Sequence, residues 1–516
     1  MARLTAGVAA VVLCTITACG GGGGGSGQGG SPATWTTLSS AAPEALQLCL
    51  LMTDATVLCQ SGQNWWLLTP SNTGSYVDGT WSFYTPFQSS VAEDFASAVL
   101  ADGRMAIIGG EYTYANDQWN FALSNVGMIF DPVAISWTPL APPASTGSPN
   151  HWQCIGDAPA SMLADGRWVI GSKLYQDVAV LDPATLTWSQ VSAPGKNDTF
   201  NSEEGWTLLP DGSVLTLDVS SAPATERLVL APGASTGAWV SAGKTPEDLH
   251  TPPTSTQPID APGCPPYSPP GEMGPVLLMP DGNVFAVGAN GLTAIYSPGS
   301  NTWTAGPSVP DGLNIQDGPG VVLPSGHVLF GASPGSSGVG LQYYEFDGAQ
   351  LMPVPPPVNA ADDATYFTSL LPLPTGQVLF VDSSTTVQVY SPASSPTYNP
   401  AWAPTITSFP TSIAAGSSYP IMGTQFNGLT QASAYGDELQ NATNYPLVRL
   451  TNQASGHVFY ARTHGHSSMG VATGTTVVST NFDVPEAIES GQSTLQVVAN
   501  GIPSEDVAVN VTTAGK

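Results

Sequence analysis

The chain is poor in basic residues: 10 Lys and Arg stand against 38 Asp and Glu, a formal net charge of −28. Nucleic acid and anionic lipid both require basic patches, so neither is expected as a partner of the folded surface. The acidic excess itself serves solubility and carries little functional weight. Charged residues make up only 9% of the chain and no long helical period runs through it, which argues against a helical fold. CxxC and Cys/His zinc spacings are absent, as are a Ser-His-Asp order, a nucleotide-binding loop and an HExxH motif. What is abundant is Gly (56) and Pro (47), a composition of short strands and many turns.

The strands follow a repeat. Leu208-Leu-Pro-Asp-Gly-Ser-Val-Leu215 is an apolar run, a turn and a second apolar run, the signature of a β-hairpin, with Asp211-Gly212 suited to the positive φ of a tight turn. Copies begin at Val99, Met162, Leu278, Val322 and Leu373, and a degraded one at Leu51. Their turn positions, Asp54, Asp102, Asp165, Asp211, Asp281, Ser325 and Thr375, recur about every 50 residues, the spacing of kelch-type propeller blades. Seven copies predict seven blades of four strands. A Trp follows each third strand, as in Phe130-Asp-Pro-Val-Ala-Ile-Ser-Trp137, Leu181-Asp-Pro-Ala-Thr-Leu-Thr-Trp188 and Tyr296-Ser-Pro-Gly-Ser-Asn-Thr-Trp303, with Trp81 and Trp239 in the same place. These rings read as packing between wedge-shaped sheets rather than as ligand platforms. With Gly109-Gly110 after a strand, the pattern resembles the kelch motif. The last blade is short of an outer strand, and Ala33-Thr-Trp-Thr-Thr-Leu38 is expected to supply it and close the ring. From about Ala403 the period changes to alternating runs, among them Tyr445–Leu450, Thr475–Ser479 and Ser493–Val498, predicting a separate β-sandwich.

Residues 1–18 read as a signal peptide: Arg3, a short apolar stretch from Val8 to Leu13, then Ile16-Thr-Ala-Cys19. That stretch is too short to span a membrane. It resembles the bacterial lipobox, in which the Cys becomes a lipidated N-terminus, so Cys19 is the expected anchor and residues 19–32 a Gly/Ser-rich tether. Cys49, Cys59, Cys154 and Cys264 remain in an oxidising compartment, where pairing is the default and four thiols allow three connectivities. Cys49 and Cys59 flank one hairpin, so they could meet across it; Cys154 and Cys264 would then pair between loops.

A seven-bladed kelch propeller (33–402) followed by an immunoglobulin-like sandwich (403–516) resembles the galactose oxidase and glyoxal oxidase family. The stretch from Tyr435-Gly-Asp-Glu to Leu450 and the later His464-Gly-His-Ser-Ser-Met-Gly470 are the most family-like. The resemblance implies an all-β fold with a copper site on the propeller axis, but the copper groups do not carry over. Tyr366 matches the Tyr of the family's Tyr-His, whereas Phe367 stands where the His ligand would be. Asp94 and Asp157 occupy the places of the thioether-linked Cys and Tyr, and Gln440 that of the sandwich His. Copper radical chemistry is therefore not expected.

Instead, the positions leading into the innermost strands are acidic: Glu93 and Asp94, Asp157, Glu203 and Glu204, Glu272 and Asp317, with Asp362 and Asp363 just upstream of Tyr366. Converging carboxylates raise one another's pKa or require a cation, and oxygen donors suit Ca²⁺. The alternative is that they cap loops by accepting backbone N–H groups. His464 and His466 alternate on an expected strand and suit a transition metal; hydrogen bonding within the sandwich or at its seam competes with that assignment. His151, His250, His327 and His457 lie in loops or turns with no partner spacing.

The sequence thus predicts a monomeric lipoprotein of the bacterial cell envelope, tethered to the membrane by its N-terminal lipid. Its propeller mouth is expected to bind a glycan, peptide or partner protein without catalysis. The competing class is an oxidase or other carbohydrate-active enzyme with a divergent site. Replacing Cys19 by Ser is expected to move the protein from the membrane to the soluble fraction, read by fractionation; a wild type that is already soluble would remove the anchor.

Overall fold

The computed structural model describes residues 31–84, 91–115, 118–145, 147, 149–252, 258–268, 270–335, 338–393, 398–436 and 441–513. The predicted signal segment 1–18, Cys19, its tether as far as residue 30, and Gln440 lie outside them. The chain is all-β and propeller-like. Among the described residues, six sheets have four antiparallel strands and a seventh has six; a three-stranded ribbon and a nine-stranded C-terminal sheet complete the fold. No helix among these residues is long and apolar enough to cross a membrane.

The repeated hairpin explains the regularity. In its type example Gly212 N–H donates to the Leu209 carbonyl and Leu209 N–H to that of Ser213, enclosing the three residues Pro210, Asp211 and Gly212. Only the glycine takes a left-handed φ, +83°, so this is a three-residue hairpin with a glycine bulge rather than a two-residue turn. The Asp contributes through its side chain, whose Oδ1 accepts the N–H two residues on, at 3.0 Å in Asp211. Asp54, Asp102, Asp165 and Asp281 make the same bond.

The innermost strands are Cys49–Leu51, Ala96–Val99, Ala160–Met162, Thr207–Leu208, Val276–Leu278, Gly320–Val322 and Ser369–Pro372, and all are buried. Each packs beside the next around an axis: Cys49–Leu51 lies against Ser369–Pro372, and its sheet shares two hydrophobic cores with that of Ala96–Val99. Thr34–Thr37 pairs antiparallel with Gln388–Ser391, so the first described strand is the outermost of the last sheet. The outer-strand tryptophans bind sheet to sheet. Trp35 Nε1 donates to Pro355, Trp81 to Ser40, Trp188 to Ala141 and Trp303 to Ala242, each a carbonyl in or just beyond the preceding sheet's outer strand. Disulfides Cys49–Cys59, across the first hairpin, and Cys154–Cys264, between loops, resolve the connectivity left open by spacing.

The C-terminal sheet folds over one core containing Ile413, Ile421, Val448, Phe482, Val497 and Val509. One of its connections reaches the axis. Ser433–Ala434 pairs with Gly320–Val322; Gln431 accepts from Leu208 N–H at 2.7 Å and donates to Ser161; Asn441 donates to the Leu370 carbonyl; and Tyr445 donates to that of Leu51. This plug therefore bonds to five of the seven innermost strands or their ends.

Closure generates a prediction. Trp35 packs on Tyr343, Phe380 and Tyr390 at ring separations of 5.2, 5.3 and 4.8 Å while remaining half-buried. Trp35→Ala is expected to cost about 2 kcal/mol, less than a fully buried Trp. A denaturation midpoint unchanged from wild type would show that the strand is dispensable.

Candidate functional site

The site is built at the residues that lead into the innermost strands. Asp94, Glu203 and Asp317 each stand eight residues before a hairpin turn position and all have positive φ, +57°, +61° and +45°. A non-glycine residue pays on the order of 1–3 kcal/mol to be held there. The same exception at the same repeat position in three sheets marks a place where the backbone is bent for its side chain. In the third sheet a glycine precedes the acid: Gly156, φ +66°, before Asp157. A Cβ at Gly156 would approach Lys173 Cδ to 3.0 Å, so this turn also makes room for a lysine.

Lys173 is the centre of the cluster, and attention to strand-leading positions alone misses it. Its ammonium is fully buried, pairs with Asp157, lies 2.7 Å from Glu203 Oε1 and 3.6 Å from Glu111 Oε1, and sits 5.8 Å from the Tyr267 ring centroid. Burial alone favours the neutral amine, but Asp157, Glu203 and Glu111 outweigh it and hold the charge. The available signal was positional: Glu111 and Lys173 both follow a second strand, in Gly109-Gly-Glu111 and Gly171-Ser-Lys173, so they point to the same end of neighbouring sheets.

One lysine does not neutralise the ring. Glu203, Glu272 and Asp317 each offer an oxygen within 4.8 Å of the others. Burial, then the charges of Asp317 and Glu203, push the Glu272 carboxyl well up; burial, then Glu93 and Asp157, do the same to Asp94. Burial raises Glu93 to about 7, and Glu111 to about 7 against the pull of Lys173. One oxygen each of Asp157 and Glu272 is buried with no hydrogen-bond partner among the described residues. The plug forms part of the floor: a Cβ on Gly436 would come within 3.0 Å of Asp317 Oδ1, and one on Gly205 within 2.7 Å of the Gly436 carbonyl.

Beside this floor stands an aromatic pair. Tyr366 and Phe367 lie in a short 3-10 turn, 38% and 42% exposed, with ring centroids 4.2 Å apart. Thr365 Oγ1 donates to the Gln316 carbonyl next to Asp317, and Tyr435 Oη to the Tyr366 carbonyl, which fixes the pair at the mouth.

Several expected members belong elsewhere. Glu204 does not join Glu203; it turns between sheets to Lys196, 2.8 Å away, and accepts from Trp206 Nε1. Asp362 is exposed, and Asp363 is buried near the Tyr343 hydroxyl. His464 and His466 form no chelate. The strand ends at His464, Gly465 takes φ +64°, and the rings find separate partners: His464 Nε2 meets Asp483 at 3.0 Å and buried His466 Nδ1 meets Thr480 at 2.9 Å. The loop histidines are paired as well, His151 with Asp177, His250 with Asp248, His327 with Glu345 and His457 with Glu489. Phe367 places a phenyl group, which cannot ligate copper, at the mouth.

No protein-family model and no curated protein matches the chain. Among solved structures it is similar to the extracellular domain of a hybrid two component system from B. thetaiotaomicron (11% identity, TM-score 0.45), covering 94% of this chain and 59% of that one. The chain thus spans about three-fifths of that structure's length. YCF48 from Cyanidioschyzon merolae (10%, TM-score 0.39) covers 69% of this chain and 98% of its own. An auxiliary nutrient binding protein from Bacteroides thetaiotaomicron (11%, TM-score 0.36) covers 68% and 69%. Likenesses this distant carry no functional argument, which rests on the residues above.

The raised Glu111 carboxyl predicts a pH effect with a definite sign. Its folded value, about 7, lies above its ordinary 4.5, so ionising it works against the fold as pH rises between these values. Glu111→Gln should match wild type near pH 4.5 and become the more stable by pH 7.5, by on the order of 2 kcal/mol. Parallel stability curves for the two proteins across that range would contradict the assignment.

Proposed function

We propose that the chain is an exported binding protein, anchored by lipid at Cys19 to the bacterial cell envelope, whose kelch-type seven-bladed propeller takes a glycan at its mouth without transforming it. The immunoglobulin-like C-terminal unit supplies the plug beneath that mouth. The observation that carries this reading is the exposed Tyr366–Phe367 pair fixed beside an oxygen-lined acidic floor. Aromatic faces pack on the apolar faces of sugar rings, and carboxylates accept from sugar hydroxyls. A pocket of mixed aromatic and convergent polar groups is the usual form of a small-ligand site. The set Glu203, Glu272 and Asp317 offers only oxygen donors, a chemistry suited to Ca²⁺ and not to copper.

The oxidase alternative is the weaker one. Its copper positions hold Phe367, Asp94 and Asp157, and Asp157 is committed to Lys173. Tyr366 alone cannot support a two-electron alcohol oxidation.

Glycan-array screening followed by calorimetry tests the proposal. Tyr366→Ala combined with Phe367→Ala should weaken the best glycan at least about tenfold, a loss of about 1.4 kcal/mol. The melting temperature should hold, because both rings are exposed. Undiminished binding by that variant would move the site elsewhere, and copper-dependent peroxide production from sugars or aldehydes would replace the reading with an enzymatic one.

A further inference from the structure

A second acidic cluster, remote in role from the mouth, lies inside the fourth sheet. Lys196 Nζ is 2.8 and 2.9 Å from the two Glu204 oxygens and 3.3 Å from Glu226, with the Trp239 ring centroid 4.2 Å away. Glu204 accepts further from Trp206 Nε1 and Thr216 Oγ1, both at 3.2 Å, and Glu226 from Asn197 N–H. The lysine is therefore fully engaged by these two acids. Asp198 and Asp218 stand alongside without a cation of their own. Asp198 Oδ2 accepts from the N–H groups of Val219 and Ser220, at 2.7 and 2.9 Å, and Asp218 Oδ2 from Asn197 Nδ2 at 2.9 Å. The second oxygen of each is buried and has no hydrogen-bond partner among the described residues.

The charge count is decisive. Four carboxylates, 0 to 2% exposed, face one ammonium, leaving three negative charges that the neutral hydrogen-bond donors around them offset only in part. Two solutions exist, protons or a multivalent cation. One oxygen from each of Asp198, Glu204 and Asp218 lies within 4.8 Å of the other two. That is the largest separation two oxygens can have across a Ca²⁺ ion, whose bonds are about 2.4 Å. We propose that Asp198, Asp218 and Glu204 form a structural site for a hard divalent cation, Ca²⁺ by its donor chemistry, with Lys196 as a fixed neighbouring charge. Nitrogen and sulfur donors are absent from the set, which disfavours the later transition metals. Each acid contributes a strand-flanking loop of the same sheet, so a bound ion would tie residues 196–204 to the second and third strands.

The test compares full-length mature protein, stripped of metal, in 1 mM CaCl₂ and in chelator. Wild type should melt several degrees higher with Ca²⁺, because the ion binds only the folded state. Asp218→Asn keeps the acceptor for Asn197 but removes the charge, and should lose the shift when combined with Glu272→Gln and Asp317→Asn, which disable the oxygen set at the mouth. Glu272→Gln with Asp317→Asn, which alters the mouth alone, should keep it. Terbium supplies a second readout: excitation of tryptophan should sensitise its emission, since Trp206 touches Glu204, and the combined variant should lose that signal. A full Ca²⁺ shift in the combined variant, a shift already lost in the mouth variant, or neither shift nor emission in wild type would each overturn the site. The result is independent of glycan binding.

Discussion

Closing the sheets of a propeller-like fold around an axis is the constraint on which the rest depends. Closure removes the sheet edges that would otherwise template aggregation, but it brings seven innermost strands together with polar groups that cannot reach water. Two parts of the chain distant in sequence resolve this. Thr34–Thr37 completes the last sheet, and Gln431, Ser433, Asn441 and Tyr445 plug the axis. The N-terminal strand and the C-terminal unit are thus parts of one solution.

The plug also decides what the mouth can be. Gly436 lies close against Asp317 and Gly205, so the C-terminal unit reaches the acidic positions at the axis. Charge then does the shaping. Lys173 draws Asp157, Glu203 and Glu111 inward, while burial and the charges of Asp317 and Glu203 push the Glu272 carboxyl up. The left-handed backbone at Asp94, Glu203 and Asp317 is sustained by the packed sheets behind it, a cost consistent with side chains placed for use.

Two neighbouring acids illustrate how far side-chain identity leads. Glu203 and Glu204 look interchangeable in sequence, yet one faces the axis and the other the interior of the fourth sheet, each with its own buried lysine. Successive residues project to different sides of the backbone, and a single positive φ at Glu203 settles which side is which. His464 and His466 fail as a pair for a related reason, since the alternation that would align their rings ends at Gly465.

Local chemistry made much of this protein legible in its sequence. The Asp-Gly repeat encodes hairpins because the glycine bulge and the Asp side chain act within five residues, and counting eight residues back from four of the seven turn positions finds the acids at Asp94, Asp157, Glu203 and Asp317. The Trp positions follow from the same period. What only the tertiary structure decided was everything set by sheets meeting one another: Lys173 and Glu111 as counter-charges, Gly436 in the floor, the Cys154–Cys264 bridge between loops, and the separation of Glu204 into a second cluster. Those arrangements depend on which loops share an end of the ring, and closure across hundreds of residues leaves no trace in the spacing of neighbours along the chain.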